Sequence, residues 1–389
     1  MNNKIKILTF FITVLCFYAC AARGGDNNNN NNNNSNNNNN SNNNNNSIGW
    51  TFVGSANISG STAQGSIIRV YNHVPYVAFL DDPSGSKTVR VMKYNSGSGA
   101  WENVGTTFSA GSDYLSFEID TSSGTLYVAY SDGTQSGKLT VREFSGVAWS
   151  DVGSVGFSTG AVEWVSLTLK GGTTPYVAYY DSTETKVKVQ KYSSGAWSVL
   201  NDASTVPADH TAITSDSTNV YVAYRVVSTT GLSLRKYDAT DTFSAIGSPP
   251  GISQIKYTAV FIKGDYLYLT YVDNANQLIT KAYDTVAPAW SNMGSSTGVL
   301  SSGVTDIPSL YVVNNSVPHD VIYVAYQDFF SSLKASVKSC LNDPASTWNA
   351  LGGSGISSIS ITGISIYVDD ATPYVAYINA AGNIEVKKY

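Results

Sequence analysis

The sequence predicts an all-β fold, a seven-bladed β-propeller with four antiparallel strands per blade. Three observations predict it. One four-residue run recurs seven times: Tyr76-Val77-Ala78-Phe79, Tyr127-Val128-Ala129-Tyr130, Tyr176-Val177-Ala178-Tyr179, Tyr221-Val222-Ala223-Tyr224, Tyr268-Leu269-Thr270-Tyr271, Tyr323-Val324-Ala325-Tyr326 and Tyr374-Val375-Ala376-Tyr377. Successive copies start 51, 49, 45, 47, 55 and 51 residues apart, a period that suits one small sheet per repeat. A second motif, an aromatic residue four positions before a glycine, lies between the runs as Trp101-to-Gly105, Trp149-to-Gly153, Phe243-to-Gly247, Trp290-to-Gly294 and Trp348-to-Gly352, with Trp197 alone in the third repeat.

The third repeat shows the unit. Trp164 to Leu169 alternates and ends at the turn signal Lys170-Gly171-Gly172. Pro175 to Tyr179 is a continuous apolar run, as expected of a strand buried on both faces. Lys186 to Tyr192 alternates charged and apolar residues, the pattern of a half-exposed strand. Ser193-Ser194-Gly195 turns the chain, and Ala196-Trp197 opens a short fourth strand. These are strands A to D, from axis to rim. Strand A carries a small residue at one register, read as Ser66, Ser116, Ser166, Ala212, Ala259, Ser309 and Ser365, where blades converge on the axis. Tyrosine and tryptophan fill the widening wedge outside, which accounts for most of the 26 tyrosines.

The ring closes with residues from both ends. Trp50-Thr51-Phe52-Val53-Gly54 is an extra copy of the fourth strand ahead of the first repeat, and the chain stops at Lys387-Lys388-Tyr389, the end of a third strand. The last blade is therefore completed by the N-terminal strand. A domain over 48–389 is large for a single core, but stacked repeats escape that limit.

The N-terminal 47 residues read differently. Lys4 and Lys6 precede the apolar run from Ile7 to Ala19, a signal peptide over 1–19 too short to span a bilayer. Phe17-Tyr18-Ala19-Cys20 resembles a bacterial lipobox, which implies lipid (palmitate) attachment at Cys20; an ordinary cut after Ala19 or Ala22 is the alternative. Residues 27–46 are asparagine broken only by Ser35 and Ser41. Such a tract has nothing to bury, so 20–47 is expected to be a disordered tether. Coil statistics give it a reach of roughly 25–30 Å.

Composition excludes several functions. Without Lys4, Lys6, Arg23 and Asp26, the 23 basic and 28 acidic residues become 20 and 27, a net charge of −7 over the domain. Nucleic acid wants a basic surface, so it is not an expected partner. Cys16 and Cys20 belong to the leader, which leaves Cys340 alone in the domain, at a packing position that tyrosine or phenylalanine fills in other repeats. His73, His210 and His319 have no metal-ligand spacing, so neither metal nor cofactor is expected. A sialidase reading would want an arginine cluster; the domain holds only Arg69, Arg90, Arg142, Arg225 and Arg235. The Gly-His and Trp-Asp marks of WD40 repeats and the double glycines of kelch repeats do not recur. The Tyr-Val-Ala-Tyr repeats resemble those of bacterial exported seven-bladed propellers over 48–389, a resemblance of architecture that implies no single activity.

Two polar series recur. Asp81 or Asp82, Asp132, Asp181, Asp273 and Asp328, with Asn379 in the last repeat, follow strand B, where aspartate closes tight turns. Asp113, Glu163, Asp209, Lys256 and Asp306 lie three residues before the small residue of strand A, and Tyr114, Trp164, His210 and Tyr257 follow the first four of them. Connections D–A and B–C share one face, so the second series rings the channel mouth. Strand-start packing explains it; so does a ligand ring, with carboxylates for sugar hydroxyls and rings for apolar sugar faces. An enzyme would break the repeat symmetry sharply at one or two blades, and here the departures are mild. The expected function is a membrane-anchored, extracytoplasmic binding module of the bacterial cell envelope that recognises a glycan or a protein partner. A monomer held on the bilayer through Cys20 is expected. The alternatives are a carbohydrate-active hydrolase or lyase and an envelope scaffold.

Overall fold

A computed structural model describes residues 49–389, apart from 83, 84, 201, 202, 253, 315–318, 344 and 354, and apart from the side chains of Ser112 and Asp113. The expected signal segment, Cys20 and the asparagine tract lie outside the described residues, and so does the Asp113 carboxylate.

The described chain is all-β, with only two single-turn helical segments, Gly133–Gln135 and Phe329–Ser331. Each repeat is built on four antiparallel strands, and in the fifth a further short strand, Val299–Ser301, pairs with Leu278–Asp284. The first two are joined into one eight-stranded sheet by pairing of Thr88 with Ser109 and Val89 with Phe108. In the third repeat, Val162–Lys170, Thr174–Asp181, Lys186–Ser193 and Ala196–Val199 follow in order. The last sheet takes its outer strand from the other end of the chain: Thr51 pairs with Lys388 and Phe52 with Lys387.

The second strands are buried because they have a sheet on both faces. Tyr176, Val177, Ala178 and Tyr179 are all at most 1% exposed. The innermost strands, in repeat order, are Ala63–Tyr71, Phe108–Ile119, Val162–Lys170, Ala208–Ser215, Ile255–Lys263, Ser309–Val313 and Ile361–Asp369. Each packs on the next, and the seventh packs back on the first. Serine hydroxyls stitch them. Ser116 Oγ accepts from Leu167 N at 2.9 Å, Ser166 from Ile213 N at 3.1 Å, Ser309 from Ile366 N at 3.0 Å and Ser365 from Ile68 N at 3.2 Å. The small residue is thus required by crowding and by a hydrogen bond.

One expected member of that series is displaced. Ser116, Ser166, Ala212, Ser309 and Ser365 pair with the alanine of the anchor run, but in the first repeat Ile67, not Ser66, pairs with Ala78. Ser66 stands opposite Phe79 instead, just after a bulge between Gln64 and Ser66 that has its counterpart before Ser166, Ala212 and Ser365.

The tryptophan–glycine motif is a staple between outer strands. Trp101 Nε1 donates to Val53 O at 2.8 Å, Trp149 to Val104 O at 2.8 Å, Trp197 to Val152 O at 2.6 Å, Trp348 to Met293 O at 3.1 Å and Trp50 to Leu351 O at 2.7 Å. The glycine seats the incoming ring: at Gly105, with φ +66, a Cβ would stand 2.7 Å from Trp149 Cδ1. A second serine set holds the D–A connectors down. Ser59, Ser158, Ser204 and Ser357, all buried, accept from Ile384 N, Leu139 N, Val187 N and Ala335 N.

Asp81 pairs with Arg90 and accepts from Ser61 Oγ, but the aspartates after strand B in repeats two, three, five and six are turn residues. Asp132 Oδ1 accepts from Thr134 N, Asp181 Oδ1 from Thr183 N and Glu184 N, Asp273 Oδ1 from Gln277 N and Asp328 Oδ1 from Phe330 N. Asn379 Oδ1 does the same with Ala381 N and Asn383 N. Cys340 is buried in an apolar cluster, and burial pushes its thiol up to about 12, so it is a packing residue and not a nucleophile.

Candidate functional site

The seven inner strands surround a cavity of about 550 Å³, within the usual size range of small-molecule sites. Its wall is made mostly of serine, threonine, glycine and aliphatic side chains. Of the residues expected at the mouth, Tyr114, Trp164 and Asp306 line it. Register explains the grouping. Counting from the residue opposite the anchor alanine, the position two residues earlier is Gly65, Tyr114, Trp164, His210, Tyr257, Ile307 and Gly363 in repeats one to seven.

The four aromatic members form one arc. Ring centroids lie 5.1 Å apart for Tyr114 and Trp164, 3.7 Å for Trp164 and His210, and 5.5 Å for His210 and Tyr257. The Trp164 and His210 rings are stacked, 25° from parallel. The inner rings therefore face one another, and the arc presents its edges and its two ends. Trp164 and His210 hold left-handed backbone, φ 52° and 51°. Bulky residues rarely adopt it, and such conformations gather at functional sites. The cause here is a bulge between Glu163 and Ser166, and between Asp209 and Ala212, which re-aims the side chain. Thr211 Oγ1 donates to the Trp164 carbonyl and fixes the turn.

The charged series is less uniform than its spacing suggests. Asp209 stands directly opposite Arg225. Arg225 Nε donates to Asp209 Oδ1 at 2.8 Å and Nη2 to Oδ2 at 2.7 Å. His210 Nδ1 lies 2.8 Å from the same carboxylate, at ion-pair distance but outside hydrogen-bond geometry. Burial pushes the Asp209 carboxyl up, but the Arg225 hydrogen bonds, with His210, outweigh it and hold it at about 2. Asp209 is thus committed to its neighbours. Lys256 Nζ donates to Asn276 Oδ1 at 2.5 Å. Asp306 Oδ1 accepts from Ile307 N at 2.8 Å and Oδ2 from Gly363 N at 2.7 Å, so its carboxylate bridges repeats six and seven. Glu163 pairs in register with Tyr180, whose hydroxyl is raised by burial and then by Glu163 and Asp209.

Sequence reasoning missed Gln64 and Thr362, which complete the charged register in repeats one and seven, and Gly65 and Gly363 in the aromatic one. A glycine in an aromatic series leaves no mark in a repeat alignment. The signal available was the φ-tolerant glycine itself.

No family model matches the chain, and no curated protein matches it. Among solved structures it is similar in fold to the Hadza microbial sialidase Hz136, at 12% identity and a TM-score of 0.50 over 87% of this chain and 68% of that one. It is also similar to polysaccharide lyase Uly1, at 11% identity and a TM-score of 0.50 over 84% and 89% of the two chains. A triple arginine-to-alanine mutant of AofleA from Arthrobotrys oligospora matches at 11% identity and a TM-score of 0.50 over 78% and 90%. At these identities the likeness is one of fold. The arginines among the described residues are dispersed and engaged: Arg69 with Glu118, Arg90 with Asp81, Arg142 with Asp151, Arg225 with Asp209, and Arg235 on the Ala203 carbonyl.

Proposed function

We propose that residues 48–389 form a closed seven-bladed β-propeller that binds glycan at one channel mouth, the one bearing the aromatic arc. Closure is supported by inner-strand contacts that return from the seventh repeat to the first, by the Ser365-to-Ile68 hydrogen bond, and at the rim by Trp50 and Trp101. The observation that carries the binding reading is the arc from Tyr114 to Tyr257 at a cavity of about 550 Å³, with Trp164 and His210 in left-handed backbone. Packing alone would be served by glycine there, as Gly65 and Gly363 demonstrate in other repeats. The fold is also that of a sialidase and a polysaccharide lyase, so sheets of this kind carry carbohydrate chemistry elsewhere. The test is a glycan array with the purified chain, repeated with Trp164→Ala. A bound glycan should lose ~10–100-fold in affinity, the range of an aromatic hot spot. Unchanged binding by the variant removes the arc from the site.

A protein partner is favoured by a separate observation. Ile307, Phe329, Phe330 and Ile359 are exposed, and all lie in D–A or B–C connections of repeats six and seven. Exposed aromatics of this kind mark contact surfaces. Pull-down with wild type against a Phe330→Ser variant separates this reading from the first.

The extracytoplasmic setting is part of the same proposal and rests on the leader, Cys20 and the asparagine tract. Cys20→Ser should move the protein from the membrane to the soluble fraction. Equal labelling of both forms by a palmitate analogue overturns the anchor.

A further inference from the structure

The aromatic arc is interrupted, and the interruption has a definite place. Repeats two to five supply Tyr114, Trp164, His210 and Tyr257 at one register; repeat six supplies Ile307; repeats seven and one supply Gly363 and Gly65. The two glycines keep the left-handed backbone of Trp164 and His210, with φ 60° and 55° against 52° and 51°, which Tyr114 and Tyr257 do not share. Only their side chains are missing. At Gly363 an added Cβ would meet nothing nearer than Ile378 Cδ1 at 3.6 Å. The stack thus ends at Tyr114 and leaves two adjacent repeats with no side chain at this register, on the wall of the same cavity.

The chemistry around this gap is specific. Asp306 borders it, with each carboxylate oxygen held by one backbone N–H. A carboxylate has about four lone-pair positions, so it can still accept from ligand hydroxyls. The other charged residues on the cavity wall are Arg69 and Glu118. They neutralise each other, with Arg69 Nε 3.0 Å and Nη2 2.6 Å from the Glu118 oxygens. The wall therefore carries one uncompensated carboxylate and no uncompensated cation among the described residues. A second carboxylate brought in by a ligand would meet repulsion without a partner.

We infer that the gap over Gly363 and Gly65 is a subsite for one neutral pyranose, which takes the place of the missing ring beside Tyr114 and gives hydroxyl hydrogen bonds to Asp306. Uronic and sialic acids are excluded from it. This inference rests on the glycan-binding reading above and adds where the sugar sits and which sugars fit.

The experiment is calorimetric titration of the full chain with neutral methyl pyranosides and neutral oligosaccharides, and with their uronic and sialic acid counterparts. Neutral ligands should bind at least tenfold more tightly than acidic ones. Gly363→His places a ring in the gap on a backbone that His210 already adopts, and should reduce neutral-sugar binding at least tenfold with the melting temperature retained. If that variant does not fold, Tyr114→Leu decides, with the same expected loss. Acidic sugars binding as well as neutral ones, or full binding by a folded Gly363→His variant, overturns the inference. Binding that is lost in Trp164→Ala but kept in Gly363→His leaves the glycan reading standing and sinks the gap alone. No binding by any glycan sinks both.

Discussion

A chain that begins at Ser55 should melt on the order of 10 °C below one that begins at Ser47, and should aggregate on heating. The segment it lacks makes four kinds of contact. Thr51 and Phe52 pair with Lys388 and Lys387. Val53 is 5% exposed and donates its N–H to Val386 O at 2.9 Å. Trp50 packs on Tyr389 with ring centroids 5.5 Å apart and donates to Leu351 O. Trp101, in the first repeat, loses its acceptor at Val53 O. Loss of a packed tryptophan alone costs ~3–5 kcal/mol. At ~2 °C or less per kcal/mol for a chain of this size, the sum reaches about 10 °C. Aggregation follows because Ile384–Lys388 becomes an open sheet edge. Differential scanning calorimetry of the two chains measures the difference. Equal melting temperatures would mean that the N-terminal strand adds nothing to the ring.

Most of the architecture was legible because its determinants are side chains that repeat. A strand buried on both faces has to be apolar along its length, so Tyr-Val-Ala-Tyr announces itself. The staple between outer strands was legible as Trp-x-x-x-Gly, although its reason, a glycine seating the next tryptophan, needs the neighbouring sheet. The first repeat was misregistered by one residue because its serine, Ser66, stands one place before the residue opposite the anchor alanine. Ser66 and Ile67 read equally well on paper; only the pairing with Ala78 separates them. The buried connector serines were invisible for a related reason: Ser59, Ser158, Ser204 and Ser357 lie in segments without periodicity.

The candidate site was half legible. The recurrence of Tyr114, Trp164, His210 and Tyr257 stood out, but recurrence does not say that the rings stack on one another. The commitment of Asp209 to Arg225 depends on a cross-strand register between residues 16 apart. A sequence of carboxylates at one spacing looks like a uniform ring. The structure divides it into one residue locked in an ion pair, Asp209, one that bridges two repeats, Asp306, and one set against a tyrosine, Glu163.

Tyr176→Ala should destabilise the fold by ~3–5 kcal/mol, the cost of emptying a large buried aromatic site, and should leave the cavity chemistry untouched. Tyr176 is 1% exposed and packs against Ala178, Val189 and the fourth repeat's core. Its hydroxyl donates to Asp241 Oδ1 at 2.8 Å, and Lys170 and Lys191 lie 5.5 and 5.7 Å from its ring. Truncation therefore leaves a cavity, an unfilled acceptor and two lysines without their aromatic face. Trp164→Ala is the informative partner. Its ring touches Tyr114 and His210 at the mouth, and its backbone sits at φ 52°, which a smaller side chain tolerates better. Denaturant unfolding should rank Tyr176→Ala well below Trp164→Ala in stability, while glycan binding should rank them the other way. If both variants lose the same several kcal/mol, the arc is part of the core, and left-handed backbone at Trp164 and His210 is then a consequence of packing. If Trp164→Ala unfolds like wild type and no longer binds, the strained backbone is held in place by the sheets for the sake of the ligand, and Tyr176 marks where the supporting stability is stored.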